Sequence, residues 1–233
     1  MQERSSAMTG SSNRRTAGAR PDRDEPLSVV VQRAIRRKII VGEYPQGMAL
    51  AEQRVAADLD ASRVPVREAM PILQQQGFVE TSPRRTSCVT TWTEQRINDL
   101  FDARLGVEVI AVGRAARRAG AGIGSENLEA ILVKAQQHLV EGEALELAET
   151  NSAVHVALVA AAGNALLNEL MRVISGRLAW VFYLTAARDL YTQVHEHHAI
   201  TDAIRNGNDR LAESLMWAHI EAGRAPTVEA LIG

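Results

Sequence analysis

Few aromatics beside abundant Ala and Leu, and apolar residues recurring at helical spacing over most of the chain, predict a mainly α fold. Only one short stretch, 78–91, is β-prone. A step in charge divides the chain: residues 26–92 carry nine Lys/Arg against six acids, and residues 93–233 carry twelve against eighteen. These observations predict an N-terminal winged helix-turn-helix over 26–92 and an all-helical bundle of about six helices over 93–233. Residues 1–25 have almost nothing to bury and are expected to stay disordered.

Each element has a local reason. Leu27, Val30, Val31, Ala34, Ile35 and Ile39 share one helical face, and Gly42 and Pro45 end that helix. Glu52 to Leu59 reads as a short second helix. After a turn at Asp60 and Ala61, Ser62 is placed to cap a third helix that runs to Gln76 and stops at Gly77. Phe78–Thr81 and Cys88–Thr91 form a small hairpin around the basic tip Arg84-Arg85. A short turn between the second and third helices suits a third helix that enters the DNA major groove, with the hairpin tip reaching the backbone. Ser62, Arg63 and Arg67 lie on its exposed start, the two arginines four apart and on one face. Arginine can donate two hydrogen bonds to guanine, whereas Arg84 and Arg85 suit phosphate. The competing reading of this module is a protein-interaction domain.

From Thr93 the spacing predicts six helices, at about 93–119, 125–141, 143–162, 164–184, 190–206 and 208–224 or beyond, with Thr93, Ser125 and Asn164 as caps. Five of the six histidines fall between 155 and 219. His155 shares a face with Asn151, Leu158 and Ala162; His197 with Val194, Ile200 and Ile204; His219 with Ala212, Leu215 and Met216. Each alone reads equally as a buried, satisfied imidazole. Three on inward faces of three helices also make a convergent metal site. His195 and His198 read as flanking surface residues, and His138 has no evident partner.

The run from Leu27 to Trp92, above all Ser62-Arg63-Val64-Pro65-Val66-Arg67-Glu68-Ala69-Met70 with Gly77-Phe78-Val79, resembles the DNA-binding domain of the GntR family of bacterial regulators. The resemblance implies DNA contacts at Arg63, Arg67 and the wing, and at Gln53, which matches a position that is often an Arg contact. Asp60 stands where a glycine is usual, and Thr86 where a wing-tip glycine is common. Leu100-Phe101 with Arg104 and Glu108, Asn151 to His155, and Glu196-His197 through His219-Ile220 resemble the FCD effector domain of the FadR subfamily, and six helices resemble its VanR-like branch. That resemblance implies a divalent metal (zinc, nickel or manganese) on Asn151, His155, His197 and His219, with Asn where the family has Asp. It further implies a homodimer on an inverted-repeat operator in double-stranded DNA, and a small carboxylate effector anchored by Arg104; an intrahelical pair with Glu108 is the alternative for that arginine.

The leading expectation is therefore a ligand-responsive repressor, not an enzyme. The alternative is a metal-dependent hydrolase using the three histidines, against which stands the lack of an HExxH run. The single cysteine, Cys88, rules out an internal disulfide framework. No apolar run reaches the ~18–20 residues that span a bilayer, and the start lacks an apolar signal stretch. No membrane partner and a cytoplasmic location are expected.

Overall fold

The computed structural model describes residues 25–81, 86–124, 126–141, 144–185 and 190–233. The expected disordered tail, the wing tip with Arg84 and Arg85, and the cap Ser125 lie outside the described residues, apart from Glu25 at the end of the tail.

The N-terminal part comprises α1 (Leu27–Ile40), α2 (Glu52–Asp58) and α3 (Arg63–Gln75), then β1 (Val79–Glu80) and β2 (Cys88–Val89). The strands pair antiparallel, Val79 opposite Val89 and Glu80 opposite Cys88. Ile35, Ile39, Val55, Val66, Ala69, Leu73 and Phe78 are buried between these elements; of the face predicted for the first helix, Val31, Ile35 and Ile39 are buried and Leu27 is exposed. The α2–α3 turn needs a left-handed residue, and Asp60 supplies it at φ +49°. Gly77 ends α3 at φ +77°.

One capping expectation fails. Ser62 sits in the N-cap position with extended backbone, but its side chain makes no capping hydrogen bond. The cause is sequence-local: the third helical residue is Pro65, which lacks the N–H that an N-cap oxygen commonly takes. The Ser62 hydroxyl is left outside the cap.

The bundle comprises α4 (Glu94–Arg104), a π turn (Leu105–Val109), α5 (Ile110–Gly120), α6 (Glu126–Glu141), α7 (Ala144–Ala161), α8 (Ala165–Leu184), α9 (Leu190–Arg205) and α10 (Asp209–Ile232). Thr93 caps α4 through Arg96 N at 3.3 Å, and Asn164 caps α8 through the amides of Leu166 and Leu167. One expectation is corrected. The helix foreseen as continuous over 93–119 contains a π turn, where Gly106 and the β-branched Val107 and Val109 weaken the α-helical ladder. The last helix, expected over 208–224 or beyond, runs to Ile232 and carries Pro226 inside it. Among the described residues no helix is long and apolar enough to cross a membrane.

The two parts meet on α8. Phe78, just after the third helix, stacks on Trp180 at 5.5 Å between ring centroids, and Trp92 meets Trp180 edge-on at 5.4 Å. Gly176 passes under Phe78: a Cβ there would lie 3.0 Å from the ring. The Arg177 guanidinium occupies the space that a side chain at Gly77 would need. Arg36 of α1 adds an ion pair to Glu149 of α7 at 3.2 Å, and Arg96 of α4 grips Glu80 of β1 with two hydrogen bonds, at 2.6 and 2.8 Å.

Candidate metal centre and DNA-reading face

His155, His197 and His219 come from α7, α9 and α10, and their ring nitrogens converge as their helical spacing predicts. The Nε2 atoms form a triangle: 3.3 Å from His197 to His155, 3.3 Å from His197 to His219, and 3.5 Å from His219 to His155. All three rings are buried. His195 is exposed and His198 half-buried; the His138 side chain lies outside the described residues.

The other ring nitrogens determine which tautomer faces inward. His155 Nδ1 lies 2.5 Å from Glu108 Oε2, and His219 Nδ1 lies 2.7 Å from Glu196 Oε2. An Nδ1–H that donates to a carboxylate leaves Nε2 as a lone pair. His197 Nδ1 is buried without a hydrogen-bond partner among the described residues. Burial pushes His155 down to about 4, against the pull of the Glu108 carboxylate, and holds His197 well below its ordinary value. Burial would raise Glu108, but the Arg104 guanidinium and His155 outweigh it and keep the carboxyl low, at about 2. Neutral imidazole is the ligating form.

Whether such a triangle fits a metal is a matter of arithmetic. A tetrahedral ion with Zn–N bonds of about 2.0–2.1 Å separates its nitrogen ligands by roughly 3.3–3.4 Å. The Nε2 edges match that separation. Without a cation, the Nε2 lone pairs of His155 and His219 would face one another 3.5 Å apart in a buried cavity. The donor set therefore fits a divalent metal.

Asn151 stands one turn before His155, buried, and its Nδ2 donates to Gln193 Oε1 at 3.1 Å, which leaves Oδ1 as the atom able to ligate. Arg104 is buried beside the cluster. Its Nε donates to Glu108 Oε1 at 2.8 Å, so the intrahelical pair is present. Its Nη2 also lies 3.3 Å from His155 Nδ1, and its guanidinium stacks over Phe182 and Phe101. Phe182 in turn packs against His155 at 5.6 Å. Reading the sequence named Glu108 only as a pair for Arg104 and Glu196 only within the family resemblance, and assigned neither to a histidine; nothing local tells that a carboxylate reaches a ring 47 or 23 residues away. A groove of 970 Å³ runs along the opposite face of α7, past Val156 and Ala160, and so lies away from the histidines.

On the other part, Arg63 and Arg67 project from the start of α3, 61% and 63% exposed at the side chain. They line a 630 Å³ groove with Gln53 of α2 and with Thr86 at the base of the wing. Arg67 is held by Glu52, and its hydrogen bonds keep the Glu52 carboxyl below the usual range.

Comparison with known proteins agrees with this division. Residues 27–89 match the model of the gntR family of bacterial regulatory proteins, and residues 99–222 match the FCD domain. The chain belongs to the GntR family and carries an FCD domain. It is 24% identical over 204 residues to an uncharacterized HTH-type transcriptional regulator, YdhC, of Bacillus subtilis, covering 85% of this chain and 89% of that one. It is 34% identical over 83 residues to the gluconate operon transcriptional repressor of Bacillus licheniformis, covering 36% and 34% of the two chains. A crystal structure of a GntR regulator from Rhodococcus sp. RHA1 superimposes with a TM-score of 0.72 at 26% identity, covering 87% of this chain and 98% of that one. The protein is a DNA-binding transcriptional regulator of the GntR/FCD type and not an enzyme; the hydrolase alternative finds no support.

Proposed function

We propose that this regulator is a homodimeric, metal-dependent repressor of the VanR-like branch, released or recruited by a small organic acid. The observation that carries the reading is the Nε2 triangle of His155, His197 and His219, with two of the rings oriented from behind by Glu108 and Glu196. These three would hold the metal, with Asn151 Oδ1 a weaker, uncharged fourth ligand. The metal supplies a Lewis-acidic anchor for a carboxylate. Arg104, beside the same imidazole, would supply the second anchor through its planar fork. Support for the VanR-like branch is the six-helix bundle, with α4, the π turn and α5 counted as one helix. Support for repression is the gluconate repressor's likeness over the DNA-binding part.

The reading head, 26–92, would take one half-site of an inverted repeat. Arg63 and Arg67 would read bases, Gln53 and Ser62 would assist, and Arg84 and Arg85 would meet phosphate. Helix α8 connects the two activities. Phe182 packs against His155 and Trp180, on the opposite side of the helix, seats Phe78 at the end of the recognition helix. A ligand that favours one position of α8 thereby favours one arrangement of the reading heads.

Elemental analysis of protein purified without chelator tests the metal: about one divalent ion per chain is expected. Metal-free protein that takes up none on reconstitution overturns the reading. Asn151→Asp should tighten metal binding, because it replaces a neutral oxygen with a charged one, while Gln193 keeps the contact by turning its own amide; a competition titration with a chromogenic chelator reads the change. Arg67→Ala should weaken operator binding by about 1–3 kcal/mol and relax base preference; an unchanged gel-shift titration would remove Arg67 from the reading face. For the effector, calorimetric titration of small carboxylic acids into metal-loaded Arg104→Ala should show lost binding at unchanged metal content. Wild-type affinity would leave Arg104 as the partner of Glu108 alone.

A further inference from the structure

Glu52 opens α2 and faces the start of α3. Arg67 Nη2 donates to its Oε2 at 2.9 Å, and Arg67 Nε lies 3.2 Å from both carboxylate oxygens. Arg63 Nη2 stands 3.7 Å from the same Oε2. Glu52, 31% exposed at its side chain, thus sits between the two arginines on the wall of the groove formed by α2, α3 and the wing.

An acid in that position needs a reason. It opposes a polyanion, so it does not serve general affinity for DNA. The pair is exposed, and exposed ion pairs add little to folding. What the contact does is geometric. A free arginine side chain samples many rotamers, and ordering it at an interface has an entropic cost. With its Nε–Nη2 side held by Glu52, the guanidinium plane of Arg67 is set in advance. The Nη1–Nη2 end of the fork remains to donate to a pair of acceptors such as guanine O6 and N7. A phosphate can accept the same fork, but it carries a full negative charge and is repelled by the carboxylate more strongly than a neutral base edge. Holding the right contact ready while penalising the wrong one is how discrimination is built.

We propose that Glu52 is a specificity-determining positioning residue: it fixes the Arg67 fork for base reading and disfavours phosphate contact at the same spot. The inference rests on Arg67 being a base contact. It predicts an unusual sign. Removing Glu52 should strengthen non-specific binding and weaken discrimination together.

The test uses the full-length protein and a duplex selected by the wild type from a random pool, with a scrambled duplex of equal length as the non-specific probe. Binding to both is titrated at several salt concentrations for Glu52→Ala, for the near-isosteric Glu52→Gln, for Arg67→Ala and for the double variant Glu52→Ala/Arg67→Ala, with helicity by circular dichroism as the folding check. For Glu52→Ala, affinity for the scrambled duplex should rise a few-fold, and the specific-to-scrambled ratio should fall by about tenfold. Glu52→Gln, which keeps an accepting oxygen, should retain part of the ratio. In the absence of Arg67, removing Glu52 should leave the ratio unchanged. A ratio within twofold of wild type in Glu52→Ala, while Arg67→Ala loses it, overturns the role of Glu52 alone. A ratio unchanged in Arg67→Ala overturns both this role and the base-reading assignment beneath it.

Discussion

Trp180→Ala is expected to lower unfolding free energy by about 3–5 kcal/mol, the range found when a buried Trp or Phe is truncated in a packed core. Trp180 is 1% exposed and is among the largest fully buried side chains among the described residues. It also makes two aromatic pairs, with Phe78 and Trp92, and such pairs add about 0.5–1.5 kcal/mol each beyond burial. Both partners lie at the edge of the DNA-binding part, so the loss falls on its seat against the bundle. Urea unfolding followed by circular dichroism should therefore show a lower midpoint, with the DNA-binding part becoming sensitive to protease before the bundle. Trp180→Phe should recover much of the stability. A change under ~1 kcal/mol for Trp180→Ala would mean that the aromatic stack does not hold the two parts together.

His197→Ala is expected to abolish stoichiometric metal binding. His197 Nε2 is the vertex 3.3 Å from both other nitrogens, so its removal leaves only two imidazoles for the ion. Its Nδ1 has no hydrogen-bond partner among the described residues, so the substitution breaks no described hydrogen bond on that side of the ring. Wild-type protein with free metal at a hundred times its dissociation constant gains ~2.7 kcal/mol of stability. Chelator should remove that increment from the wild type and change nothing in the variant. Thermal unfolding with and without chelator, alongside elemental analysis, reads both effects. Wild-type metal content in folded His197→Ala would exclude the three-histidine centre.

Much of this molecule could be read locally. The helix spans follow from the 3.6-residue recurrence of apolar positions, whose burial is the common requirement of any amphipathic helix. Asp60 at the left-handed turn and the side-chain caps at Thr93 and Asn164 depend on neighbours within three residues. The three inward histidines were legible for the same reason: spacing alone decides which face of a helix a residue occupies. The failures are also physical. The Ser62 cap is lost because Pro65 lacks its N–H, a rule the sequence contained. The π turn at Leu105–Val109 had only Gly106 between β-branched or bulky neighbours as a signal, which an ordinary helix also tolerates.

What the residues determined by themselves is the set of helices, their buried faces and the chemical types that those faces carry. Tertiary structure alone decided which carboxylate stands behind which imidazole: Glu108 behind His155 and Glu196 behind His219, each pair joining different helices. It alone put Phe182 against the cluster and Trp180 against the DNA-binding part from opposite sides of one helix, and Glu52 against Arg67 across fifteen residues. Helical periodicity specifies rotation about one axis. How two helices approach, and at what height, is set by the packing of all their side chains at once, and a hydrogen bond of 2.5 to 3 Å depends on both.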